Sequence, residues 1–206
     1  MQDFEMKQTE AVSEELDKVR EAALRILDHA DNTSSQLIRK LLNRDYGRES
    51  VLSVAESLRR ADLLNDERFA ASYAKMKTEA GKGPVWIRQK LTEKGIPASI
   101  LDTALLEAED RENERRNCLL RALELCGLKY DFELDREGNL LPAEGSPYQS
   151  RKASVFSGQK TEESSMDRSE LYRKREKEKA RLARRLSSAG FTAEAVRTAL
   201  GKIGDL

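Results

Sequence analysis

The sequence predicts an all-α protein, an elongated, curved array of three tandem three-helix repeats whose third repeat is split by an insertion. Three observations carry this. The 206 residues are 36% charged and only 5% aromatic, well above the roughly 25% charged fraction of an ordinary domain, which suits thin, surface-rich helices. Apolar residues recur at helical spacing up to residue 127 with no convincing buried strand. One helix–turn–helix pattern also occurs three times without gaps.

The elements follow in order. Ala22–Ala30 reads as a helix carrying Ala23, Leu24, Ile26 and Leu27. Thr33 and Gln36 have the spacing of a capping box, opening a helix over Ser34–Arg44 that buries Leu37 and Leu41. A third helix over Gly47–Ala61 carries Val51, Val54, Ala55 and Leu58. Leu63-Leu64-Asn65-Asp66 ends this unit and supplies Asn65 or Asp66 as the next N-cap. Phe69, Ala70, Tyr73 and Ala74 stripe the following helix, which Gly81-Lys82-Gly83 must end. Pro84 then restarts a helix with Trp86, Ile87 and Leu91, and Pro97 opens another with Ile100, Leu101, Ala104 and Leu105.

The repeat is the most informative feature. Leu37–Ala55, Ile87–Leu105 and Leu182–Leu200 align without gaps, each a helix, a tight turn, one large apolar residue (Tyr46, Ile96, Phe191) and a second helix. Gly95 and Gly190 occupy the turn, where a left-handed residue ends the first helix, and Asp45 stands there in the first repeat as a poorer substitute. Such units bury too little surface to be stable alone, so stacked neighbours complete the core. The expected organisation is an acidic arm at 1–18, repeat 1 at 19–64, repeat 2 at 65–108 and repeat 3 at 109–206. An insertion at about 127–169 interrupts repeat 3: Tyr130, Phe132 and Leu134 alternate ahead of a short hairpin, and Pro142–Ser169 reads as a long or disordered loop.

Charge balances overall at 37 basic and 37 acidic residues, but not locally. Met1–Lys18 holds six acids against two lysines, whereas Arg168–Arg185 holds nine basic residues against three acids. The basic end suits a polyanionic partner, set against the plainer reading of solvated helix faces. Cys118 and Cys126 match no zinc or redox spacing, which fits a reduced cytoplasmic setting. No apolar run approaches the roughly 20 residues of a bilayer span, and no apolar signal segment stands at the N-terminus.

Several words of the repeat are those of a known family. Leu63-Leu64-Asn65-Asp66-Glu67-Arg68-Phe69-Ala70, then Gly81-Lys82-Gly83-Pro84 with Ile87-Arg88-Gln89-Lys90-Leu91 and Lys94-Gly95-Ile96, and finally Arg184-Arg185-Leu186 through Ala189-Gly190-Phe191, resemble the RecX family in order. The resemblance covers roughly Ala22–Ala108 and Lys177–Ile203. Asp45 and the length of the insertion depart from the family pattern. The resemblance implies a monomeric, non-enzymatic regulator that lies along the RecA–single-stranded DNA filament, in its groove. There it restrains filament growth, ATP hydrolysis, strand exchange and co-protease activity. The alternative is a helical-repeat protein that binds single- or double-stranded DNA without RecA.

The candidate partner- or DNA-binding residues are Lys82, Arg88, Lys90, Lys94, Arg181, Arg184 and Arg185, with Arg39, Lys40 and Arg44 in corresponding places of the first repeat. Lys40, Lys90 and Arg185 share one aligned position, so basic residues recur in every repeat, a pattern suited to phosphates or an acidic groove. Gly81-Lys82-Gly83-Pro84 invites a phosphate-loop reading but lacks nucleotide P-loop spacing and fits a glycine hinge better. Trp86 and Tyr73 are read as core residues rather than base-stacking platforms. His29, the single histidine, is read as a helix-surface residue, so no catalytic triad is expected. Catalytic residues, metal ligands and cofactors are all expected to be absent.

Overall fold

The computed structural model describes residues 2–106, 110–129, 131–135, 139–144, 146 and 168–204, with their side chains described from residue 13 onward apart from residues 168 and 171. Among these residues nine helices form three consecutive triplets: α1 (Gln2–His29), α2 (Ser34–Leu42) and α3 (Arg48–Arg60); α4 (Asp66–Glu79), α5 (Pro84–Glu93) and α6 (Ala98–Ala104); α7 (Arg111–Leu125), α8 (Arg168–Ser188) and α9 (Ala193–Gly204). The third triplet is split by the expected insertion, whose described part holds an antiparallel pair, β1 (Phe132–Leu134) and β2 (Leu140–Pro142), with Phe132 opposite Pro142. The described residues are thus all-helical apart from this hairpin, and the chain is built from tandem three-helix repeats. Most of the loop expected over Pro142–Ser169, and Glu137 and Gly138 of the expected turn, lie outside the described residues.

The left-handed turns account for the repeat. Gly95 and Gly190 have φ of +81° and +90°, and Asp45 holds the same place at +61°. After each turn a third helix begins, and its first free N–H groups need acceptors. In the first repeat a glutamate from the first helix supplies one: Gly47 donates to Glu15 Oε1 at 2.9 Å. The third repeat does the same at the corresponding place, where Thr192 donates its backbone N–H (2.6 Å) and its hydroxyl (2.9 Å) to the buried carboxylate of Glu114. The second repeat has Pro97 there, which carries no N–H to satisfy. The same substitution recurs one helix earlier. Ser34 donates its N–H to Asp66 at 2.7 Å, and the aligned residue in the second repeat is Pro84.

The chain divides into two compact units, Met1–Tyr73 with Gln89–Ala104, and Ala74–Arg88 with Leu105–Leu206. In the first, Val19, Ala23, Leu37, Leu41, Val51, Val54 and Leu58 form the core of the first triplet. Each large aliphatic side chain buried there contributes about 1.5–3 kcal/mol relative to leaving it in water. In the second, Cys118, Leu119, Ala122 and Leu123 of α7 pack with Leu182 and Leu186 of α8 and Val196, Ala199 and Ile203 of α9. Leu128 and Phe132 enter that same core, so the start of the insertion is part of the packing rather than a free loop.

Three details differ from the sequence reading, and a fourth settles an alternative it left open. Helix α1 starts at Gln2, far upstream of Ala22, because its exposed turns are helix formers laced with the pairs Glu14–Lys18 and Glu21–Arg25 at four-residue spacing. Leu24 is exposed, and Val19 and Ala22 take core places with Ala23 and Ile26. Asn65 is the cap of α4, accepting from Arg68 N at 2.8 Å, while Asp66 faces Ser34 instead. Trp86 and Tyr73 are half-buried rather than core.

Candidate functional site

Two joints between successive repeats position most of the candidate residues. In the first unit, the turn that ends α5 meets the start of α2: Thr33 Oγ1 donates to Lys94 O at 2.7 Å, and Ser35 Oγ donates to Gly95 O at 3.0 Å. Thr33 Oγ1 also accepts from Gln36 N, completing the predicted capping box. In the second unit, the turn that ends α8 meets the start of α5: Gly83 N donates to Ala189 O at 2.8 Å and Val85 N to Gly190 O at 3.1 Å. Thr33 and Ser35 align with Gly83 and Val85, and Lys94 and Gly95 with Ala189 and Gly190. One joint therefore occurs twice, with hydroxyl donors in one copy and backbone N–H donors in the other.

The glycines make the second joint possible. A Cβ on Gly83 would lie 2.2 Å from Gly190 O, and one on Gly190 would lie 2.3 Å from Trp86 Cβ. Neither neighbour yields, because one is backbone and the other begins a side chain. The Gly81–Gly83 segment is therefore a closed joint. It is also no phosphate cradle: Gly81 N and Lys82 N donate within the turn to Thr78 O and Lys77 O, and Gly83 N is taken by Ala189.

The seven candidate basic residues fall into two groups. Lys90 and Lys94 belong to the first unit and are engaged locally. Lys90 Nζ is 2.6 Å from Glu93, a pair that holds the Glu93 carboxyl below its usual range mainly by hydrogen bonding. Lys94 Nζ lies over the stacked rings of Phe69 and Tyr73, at 5.7 and 5.4 Å from their centroids. Burial pushes the Tyr73 phenol up. Lys82, Arg88, Arg181, Arg184 and Arg185 belong to the second unit. Lys82 Nζ sits 5.0 Å from the Trp86 ring centroid, and Arg88 is half-buried and engaged.

Arg181, Arg184 and Arg185 are different. All three are exposed, and no hydrogen bond or ion pair ties their guanidiniums to a carboxylate among the described residues. Arg173, Lys177, Arg181 and Arg184 recur at intervals of three or four residues and are all exposed, so they share the solvent face of α8 at about 5–6 Å per step. Leu182 and Leu186 point the opposite way, into the core. Sequence reasoning missed one residue nearby, Arg121 of α7. Its Cδ lies 3.0 Å from where a Cβ of Gly81 would be, which places it against the turn that carries Lys82. Nothing in the local sequence signals this, because the contact is tertiary.

Among the described residues the titratable groups form no catalytic constellation. Burial, with the Glu114 charge beside it, pushes the Cys118 thiol up to about 12, so it is inert at neutral pH. Cys126 is also pushed up by burial, opposed by the positive charge of Arg185. His29 is exposed on α1, as its sequence context suggests. Among the described residues no cluster of three metal-ligating side chains occurs, and no helix is long and apolar enough to cross a membrane. A groove of about 500 Å³ lined by Leu24, Arg25, Leu27, Asp28 and Leu63 is mainly aliphatic and brings no nucleophile to a base.

Residues 65–105, which carry α4, α5 and α6, match the family described as RecX, second three-helix domain. The chain is also 37% identical over 91 residues to the regulatory protein RecX of Halorhodospira halophila, covering 44% of this chain and 56% of that relative. Over these residues the chain is similar to the RecX family. The regulatory protein RecX of Clostridium beijerinckii aligns over a longer stretch, 144 residues at 28% identity, covering 70% of this chain and 65% of the relative. The chain thus spans less than two thirds of the length of these curated relatives. The crystal structure of RecX from Lactobacillus salivarius superposes with a TM-score of 0.64 over 93% of this chain and 97% of that one, at 19% identity, a likeness of fold.

Proposed function

We propose that this protein is a regulator of the RecA recombinase, mainly an inhibitor, which binds along the RecA–single-stranded DNA filament and limits its growth, ATP hydrolysis, strand exchange and co-protease activity. The observation that carries the reading is the match of residues 65–105 to the RecX second domain within three tandem repeats of that fold. A protein made of repeats suits a filament groove made of repeats, because successive modules meet successive protomers. In this reading Arg181, Arg184 and Arg185 lead the contact, with Lys82, Arg88, Lys90 and Lys94 as further members. No chemical step is assigned to the protein and no cofactor to its action. It works as a monomer in the cytoplasm, away from any membrane.

The test is ATP hydrolysis by RecA on single-stranded DNA, titrated with this protein. Hydrolysis should fall at ratios well below one molecule per RecA protomer, and Arg184→Ala with Arg185→Ala should weaken the effect about tenfold or more, as loss of two charged contacts implies. No change in hydrolysis at excess protein would sink the reading. A second reading, direct binding to DNA without RecA, is favoured by the exposed basic face of α8. It predicts tight DNA binding whose affinity falls steeply with salt in the absence of RecA.

A further inference from the structure

The basic residues of the second unit come from separate stretches of sequence, yet three are anchored at or within about one helical turn of one joint. Lys82 is held over Trp86, directly before the glycine that bonds to Ala189. Arg185 lies one turn upstream of that bond, since Ala189 N donates to Arg185 O. Four residues of helix are about 6 Å of axis, so Arg185 is anchored close to the joint. Arg121 reaches the same turn from α7, packed on Gly81. Arg185 also acts on α7, where its positive charge opposes the effect of burial on the Cys126 thiol.

We propose that the joint between Gly83 and Gly190 assembles Lys82, Arg121 and Arg185 into one phosphate-binding site for a nucleic-acid strand. The inference rests on the reading of the basic residues as contacts to nucleic acid, which both proposed readings share. Two arginines favour phosphate because a guanidinium presents paired donors in a plane. Glu124 bonds to Arg121, and a phosphate must compete with it; Glu178 is the other carboxylate near Cys126. The joint is the positioning element: it touches no ligand, and it fixes how the turn before α5 and helix α8 present Lys82 and Arg185. Gly83 and Gly190 are positioning residues in this sense, and Arg121 is a binding residue that its own helix does not reveal.

The test uses the full chain and a fluorescein-labelled oligothymidylate, followed by anisotropy across a salt series. Lys82→Ala, Arg121→Ala and Arg185→Ala should each lower the slope of log affinity against log salt by about 0.7, the increment for one phosphate contact on a single strand. Gly83→Ala keeps every charge but cannot close the joint, and it should lower the slope by about two such contacts. A loss of stability alone does not change the slope of the folded fraction. If Gly83→Ala does not fold, the Lys82→Ala/Arg185→Ala cycle decides: a shared site makes the double variant lose several-fold less than the product of the single losses. An unchanged slope in folded Gly83→Ala, strictly multiplicative losses in the cycle, or no binding by the wild type overturns the proposal. Slopes that change as expected while RecA hydrolysis is untouched would support this site and remove the filament reading. Full suppression of RecA by Arg121→Ala with its oligothymidylate slope unaltered would do the reverse.

Discussion

The two joints perform one task with different chemistry. Where α5 ends against α2, the donors are the side chains of Thr33 and Ser35, and a Cβ on Gly95 would meet the Ser35 side chain at 2.5 Å. Where α8 ends against α5, the donors are backbone N–H groups, and the glycines face backbone and Trp86. A hydroxyl reaches out from its helix, so the first joint keeps a side chain's length between the backbones. The second has none, and so it depends on glycine on both sides. The difference separates two reasons for a glycine at the end of a helix: its left-handed φ, and the close approach of a neighbour.

Gly190→Ala tests the tighter joint and should have the largest effect. Left-handed strain of about 1–2 kcal/mol adds to the cost of forcing Trp86 aside, for a loss of about 3 kcal/mol in urea denaturation. Gly95→Ala carries the same strain and its Cβ would meet Ser35 Cβ, which rotation does not move, but no neighbouring backbone atom lies within 4 Å as Trp86 N and Cα do at Gly190, so about 2 kcal/mol is expected. Equal losses at the two positions would show that conformation alone matters, and the contrast drawn from the close approaches would fall.

A second pair sharpens the same contrast between the units. Glu114 is buried, and it accepts two hydrogen bonds from Thr192 with no cation bonded to it among the described residues. Glu15 performs the corresponding cap on Gly47 from a half-exposed position. Glu114→Ala should cost about 2 kcal/mol and Glu15→Ala about 0.5 kcal/mol, both read by thermal denaturation, because an exposed orphan N–H finds water and a buried one does not. The smallest effect is reserved for Asp45. It is exposed at the end of α2, and no hydrogen bond ties its carbonyl to another helix start among the described residues. Asp45→Gly should therefore stabilise by up to about 1 kcal/mol through relief of left-handed strain, and a clear loss of stability would mean that its carboxylate has a structural role.

Much of this was legible in the sequence because the repeat samples one solution three times. Leu37, Ile87 and Leu182 recur in register, and their burial follows from helical spacing. Thr33 and Gln36 announce a cap through their own chemistry. The hairpin of the insertion is visible as alternation, although its burial of Phe132 is not. The candidate site was less legible. Seven basic residues look alike in a chain that is 36% charged, but Lys90 and Lys94 are drawn onto neighbours while Arg181, Arg184 and Arg185 stay open. Which of these a cation does depends on what the fold brings within about 5 Å, which periodicity does not encode.

By itself, then, the sequence determined the helices, their triplet grouping, the left-handed turns and the family resemblance, because these rest on interactions within a few residues or on a pattern repeated in register. Only the tertiary structure decided why Gly83 and Gly190 must be glycine, why Asp45 need not be, and which cations share a surface. Those answers belong to pairs such as Gly83 with Ala189 and Arg121 with Gly81, which are far apart along the chain and acquire meaning only when packing brings them within ångströms.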